Sequence, residues 1–104
     1  MSNGFTIKEM VEKCYANSKE KGFWEASMNI PEKVMLVVTE LAEGVEAYRH
    51  GKVTGEKDCF AEEIADAMIR ICDIAGYLEI DLEREIMTKM NYNKSRPYLH
   101  GKKF

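Results

Sequence analysis

A chain of 104 residues can form one domain, residues 1–104, but is short for covering four helices completely, so a homo-oligomer is expected to supply the missing burial. Charged residues at 32%, hydrophobic ones at 45% and only two prolines exclude a disordered chain, and no apolar run approaches the roughly 20 residues of a membrane span. With no signal-peptide core after Met1, a soluble cytoplasmic protein without membrane contact is expected.

Taken in order, Thr6 and Glu9 form a capping-box pattern, and Ile7, Met10, Val11, Cys14 and Tyr15 follow at helical spacing, predicting a first helix to about Lys21 with Gly22 as its stop. Residues 23–29 read as a connecting loop. Pro31 suits the first turn of a second helix, on which Val34, Val37, Val38, Leu41, Val45 and Tyr48 form an apolar stripe ending near Gly51. Asp58 is the expected cap of a third helix. Its run from Ile64 to Leu78 is apolar on more sides than three neighbouring helices of one short chain readily cover. Asp81 caps a fourth helix with Leu82, Ile86 and Met90 facing inward, and Pro97 ends it. A basic tail follows from Tyr98. No strand pattern is evident, so the class is all-α. Cys14, Cys59 and Cys72, odd in number and without a CxxC pair, predict reduced thiols that fill the core.

The chemistry concentrates in residues 40–66, which hold eight acids against three bases, whereas residues 89–104 hold five bases and no acid. Glu40 and Glu43 share one helix face, and Glu63 and Asp66 share another. If the two helices pack antiparallel, four carboxylates converge, repel one another and call for a hard divalent cation such as Mg²⁺. A single ExxE is usually a solvated face; two pairs on consecutive helices argue against that. Glu46 is an outer candidate. Arg70 and Asp73 continue the Glu63–Asp66 stripe and are expected to support the metal ligands rather than bind the ion. Lys89, Asn93 and Arg96, at spacings of four and three, form a basic face suited to phosphate oxygens. Neither His50 nor His100 has a partner pattern for catalysis, and the absence of ExxH argues against a di-iron centre.

The order Glu40xxGlu43, gap, Glu63xxAsp66 resembles the MazG-like all-α nucleoside triphosphate pyrophosphohydrolases. The likeness extends to Lys21-Gly22-Phe23-Trp24, Glu46-Ala47-Tyr48-Arg49, Asn93-Lys94-Ser95-Arg96-Pro97-Tyr98 and His100-Gly101, and so covers most of the chain. One departure is Gly44 directly after Glu43, which suggests close backbone packing. The resemblance implies a four-helix bundle completed by oligomerisation, as a homodimer or homotetramer. It implies Mg²⁺-dependent cleavage of a nucleoside triphosphate, deoxy or non-standard forms included, to monophosphate and pyrophosphate, with Mn²⁺ as a substitute. Glu40, Glu43, Glu63 and Asp66 would be its metal-binding and catalytic residues. The same likeness puts Trp24 and Phe23 against a nucleobase; a core or interface role for the tryptophan is the competing expectation. The rival to the whole reading is a non-catalytic helical oligomerisation or nucleotide-binding module. A nucleic-acid partner is disfavoured by the net charge of −3.

Overall fold

The computed structural model describes residues 5–25 and 29–102, and every regular element among them is a helix. α1 spans Ile7–Glu20, α2 Ile30–Arg49, α3 Phe60–Tyr77 and α4 Leu82–Lys94, with a 3₁₀ turn at Tyr98–Gly101. Ala26, Ser27 and Met28 of the predicted loop, and Lys103 and Phe104 of the tail, lie outside the described residues.

The helix ends follow local chemistry. Thr6 Oγ1 accepts from the Glu9 N–H at 3.0 Å, while Glu9 Oε1 accepts from the Thr6 N–H at 2.8 Å, completing the capping box. Asn29 caps α2 and Asp81 caps α4, each accepting an N–H three residues on at 3.1 Å. The third cap differs from expectation. Asp58 has left-handed backbone (φ 59°) and Cys59 is the N-cap, with no capping side chain. Backbone carbonyls do the work instead, because Phe60 and Ala61 donate their N–H groups to Lys52 O and Val53 O at 2.7 and 2.9 Å.

α3 packs on α1 and on α2, while α4 rests on α1, where Glu83 Oε1 accepts the Lys8 N–H at 3.1 Å. α2 and α3 are antiparallel, since Gly44 meets Phe60 and Glu63 at one end and Glu40 meets Arg70 further along. The core is small: Val11, Cys72 and Ala75 form its centre, with Ile7, Met10, Cys14 and Leu82 around it. The three cysteines are free thiols, Cys59 and Cys72 buried and Cys14 partly so.

Apart from Val37, the apolar stripe of α2 is not the side it buries. The side turned to α3 carries Lys33, Val37, Glu40, Gly44 and Ala47, whereas Val34, Val38, Leu41, Val45 and Tyr48 are 43–62% exposed. Ile64, Met68 and Ile71 on α3 and Leu78 at its C-cap are likewise exposed, and so is Met90, expected to face inward on α4. The chain exposes 8267 Å², against about 6000 Å² for a folded monomer of 12.0 kDa. Its radius of gyration of 16.2 Å exceeds the roughly 13 Å of a compact domain this long. No helix among the described residues is long and apolar enough to cross a membrane.

Candidate metal centre and adjoining cavity

Glu40 and Glu43 stand one turn apart on α2, Glu63 faces them from α3, and one carboxylate oxygen of each lies within 4.8 Å of the other two. The helices meet closely at Gly44, where a Cβ would sit 3.4 Å from both Glu63 Cβ and Phe60 Cδ1, in contact without overlap. The three carboxylates are not equivalent. Glu63 is buried, Glu40 half-buried and Glu43 exposed.

Arg70 Nε donates to Glu40 Oε2 at 2.8 Å, and that bond, reinforced by the guanidinium charge, holds the Glu40 carboxyl below its usual range despite partial burial. Glu63 is pushed the other way, to about 7, first by burial, then by its contact with Glu40 and by the charges of Glu43, Glu40 and Asp66. A site holding one carboxylate proton near neutrality has an electrostatic deficit that a cation would relieve. Hard oxygen donors of this kind suit Mg²⁺ or Mn²⁺.

Asp66, the fourth expected ligand, lies outside the close group of three. It acts on Glu63 through its charge and lines a cavity with Glu40 and Arg70. Glu46 lines a shallow hollow with Glu43 and Glu63, but its carboxylate is engaged on the surface by His50 Nε2 at 2.8 Å and Arg49 at 4.0 Å. Arg70 is engaged by Glu40, a candidate ligand. Asp73 does something else: its Oδ1 accepts the Trp24 Nε1–H at 2.8 Å.

That bond builds an aromatic wall. Trp24 stacks on Tyr77 at 4.0 Å with rings 7° apart, and Tyr15 meets both edge-on. Such contact requires α1 and α3 to approach closely, and Gly76, where a Cβ would overlap Tyr15 Cβ, allows it. Trp24 therefore presents one face to Tyr77, while Lys33 Nζ lies 4.6 Å from its ring centroid. Phe23 is largely exposed.

A cavity of about 480 Å³ adjoins the acids, lined by Glu40, Asp66 and Arg70 together with Asn17, Phe23, Lys33 and Asp73, the last of which holds Trp24. Lys33 precedes Glu40, and Asp73 follows Asp66, by seven residues, two helical turns or about 10 Å. Lys33, Asn17 and Ser18 escaped the sequence reading. The signal available was that positions 33, 37, 40, 44 and 47 repeat by four and three, placing a lysine on the same face as Glu40.

The basic residues of α4 are not brought to the acids within the chain. Lys89 lines a separate hollow with Glu85, Thr88 and Tyr92. Lys89 Nζ and Arg96 Cζ lie 5.0 and 5.5 Å from the Tyr92 ring centroid, and Asn93 Oδ1 is buried with no hydrogen-bond partner.

No model of a known protein family, no curated protein and no solved structure matches the chain.

Proposed function

We propose that the protein is a divalent-cation-dependent nucleoside triphosphate pyrophosphohydrolase that works as a homo-oligomer, releasing a nucleoside monophosphate and pyrophosphate. The observation that carries the reading is the convergence of Glu40, Glu43 and Glu63 within 4.8 Å on two antiparallel helices, flanked by Asp66. These four residues would hold Mg²⁺ or Mn²⁺, which when bound supplies positive charge to the phosphates and acidifies a coordinated water. The chain's own groups prepare that site. Arg70 keeps Glu40 ionised and fixes its orientation, and Glu63 gives up its proton to become a ligand. The cavity beside the acids leaves room for the nucleoside, and the resemblance assigns Trp24 and Phe23 to its base.

Exposed apolar surface supports the oligomeric part of this reading. Roughly 2300 Å² of exposed area beyond a compact monomer's is more than a standard interface takes from one partner. Val34, Val38, Leu41, Val45 and Tyr48 repeat by four and three, the spacing of a helix–helix seam. A second copy on this face covers the stripe, and its α4 is the means by which Lys89, Asn93 and Arg96 reach phosphate.

The same stripes favour a second reading, a non-catalytic oligomerisation module. Incubating a panel of nucleoside triphosphates with Mg²⁺ and measuring released pyrophosphate separates the two. Release is expected from the enzyme, and none from any nucleotide sinks the catalytic reading.

A further inference from the structure

We propose that Arg70, besides holding Glu40, takes a phosphate group of the substrate with the open end of its guanidinium. This rests on the nucleotide-hydrolysing reading of the neighbouring acids.

A guanidinium carries five N–H donors in a planar fork. In Arg70 one of them is spent: Nε donates to Glu40 Oε2 at 2.8 Å, the one hydrogen bond and the one ion pair this side chain makes among the described residues. The N–H groups of Nη1 and Nη2 meet no acceptor there. Asp66 stands four residues earlier on α3, the spacing of a helical ion pair, yet no ion pair joins the two. At 40% exposure the side chain is open to a ligand, and Arg70 lines the cavity that also borders Glu40 and Asp66.

Position decides what the open end can take. Glu40, which holds Nε, is one of the three carboxylates lying within 4.8 Å of one another, so a phosphate drawn to a cation at those acids lies beside the guanidinium. A phosphate presents several acceptor oxygens on one centre, and two of them pair with Nη1 and Nη2 in parallel charge-assisted bonds. Because Nε is already tied to Glu40, the fork is oriented before the anion arrives, and less freedom is lost on binding. A lysine here would be a point charge with no second edge to offer. Lys13 and Lys33 line the same cavity, but neither bonds to the acid group, and the basic residues of α4 are not brought to it within the chain. Arg70 is therefore a cation that the single chain itself sets beside the metal centre.

The test uses inorganic pyrophosphate, a probe without a base. It is titrated calorimetrically into wild type, Arg70→Met and Arg70→Lys at saturating Mg²⁺, and Mn²⁺ is titrated into the same proteins without phosphate. Arg70→Met is expected to weaken pyrophosphate binding by about tenfold to hundredfold, and Arg70→Lys, which keeps the charge beside Glu40 but not the fork, by less. A residue that served Glu40 alone would change the affinity for Mn²⁺ and leave pyrophosphate binding at saturating Mg²⁺ as in wild type; that result, in whichever variant folds, overturns the proposal. So does a wild type that binds no pyrophosphate. In parallel, pyrophosphate release from a panel of nucleoside triphosphates is measured with Mg²⁺. Arg70-dependent binding with no release from any nucleotide upholds the phosphate contact and removes the hydrolase reading; release together with Arg70-independent binding does the reverse.

Discussion

Exchanging Gly76 for alanine perturbs the packing that erects the aromatic wall. The new Cβ overlaps Tyr15 Cβ and lies 2.9 Å from Tyr15 Cγ. Because Tyr15 Cβ is fixed to its backbone, no rotamer relieves the clash, and α1 must move off α3. Overpacking of this kind costs about 1–3 kcal/mol, and the overlap with a Cβ argues for the upper end. Alanine recovers about 1 kcal/mol through its better helix propensity. The net loss is roughly 2 kcal/mol, or a fall in Tm on the order of 10 °C for a domain near 100 residues. Gly44→Ala is the matched control, since its Cβ finds its nearest atoms at 3.4 Å, a contact the neighbours absorb with small shifts. There the propensity gain dominates, and stability is unchanged or raised by up to about 1 kcal/mol. Thermal melts of both variants, at one protein concentration because assembly shifts apparent stability, make the comparison. A Gly76→Ala protein as stable as Gly44→Ala would refute the close approach of α1 and α3.

Acidity offers a second check. Glu63 is held at about 7, above its ordinary 4.5, so the folded metal-free chain keeps a proton that the unfolded chain has lost. Its contribution to stability is therefore full below about 4.5 and disappears as pH rises through about 7. Melting in the presence of chelator should show this decline, and Glu63→Gln should flatten it; a rise over the same window contradicts the burial of Glu63. On assembly, wild type at micromolar concentration is expected to sediment well above 12.0 kDa, with Leu41→Glu or Met68→Glu shifting it toward that mass. A wild type found only as the monomer ends the case for a second copy. Lys89→Ala and Arg96→Ala should each lower kcat/KM by about tenfold to hundredfold, the equivalent of 1.5–3 kcal/mol of charge-assisted bonding. Values near wild type would leave α4 as a solvated basic face.

Much of the helical layout was legible because its signals are local. The Thr6–Glu9 box, the Asp81 cap and the glycine stops at Gly22 and Gly51 act within a few residues, and each is found where the letters put it. The start of α3 was misread by one residue because its capping carbonyls, Lys52 O and Val53 O, belong to a loop whose path no local pattern reveals. The apolar stripe on α2 was visible, but periodicity reports only that a face avoids water, not whether its cover lies in the same chain. Hence the exposure of Val34, Leu41 and Val45 could not be read from their spacing, and Lys33, on the face toward α3, passed unnoticed. At the site, Glu40, Glu43 and Glu63 converge because both acid pairs follow helical spacing and α2 and α3 pack antiparallel. Asp73 continues the Asp66 stripe, but the residue it bonds was not legible. Its partner Trp24 lies 49 residues earlier, on a turn no spacing rule connects to α3.

Pyrophosphate release from nucleoside triphosphates, followed with Mg²⁺ and with chelator for wild type, Glu43→Gln and Asp66→Asn, tests the metal centre most directly. The account predicts release by wild type only when the cation is present, and loss of turnover in both variants with helical circular dichroism retained. Release that persists without a divalent cation, or continues unchanged in both variants, would contradict it.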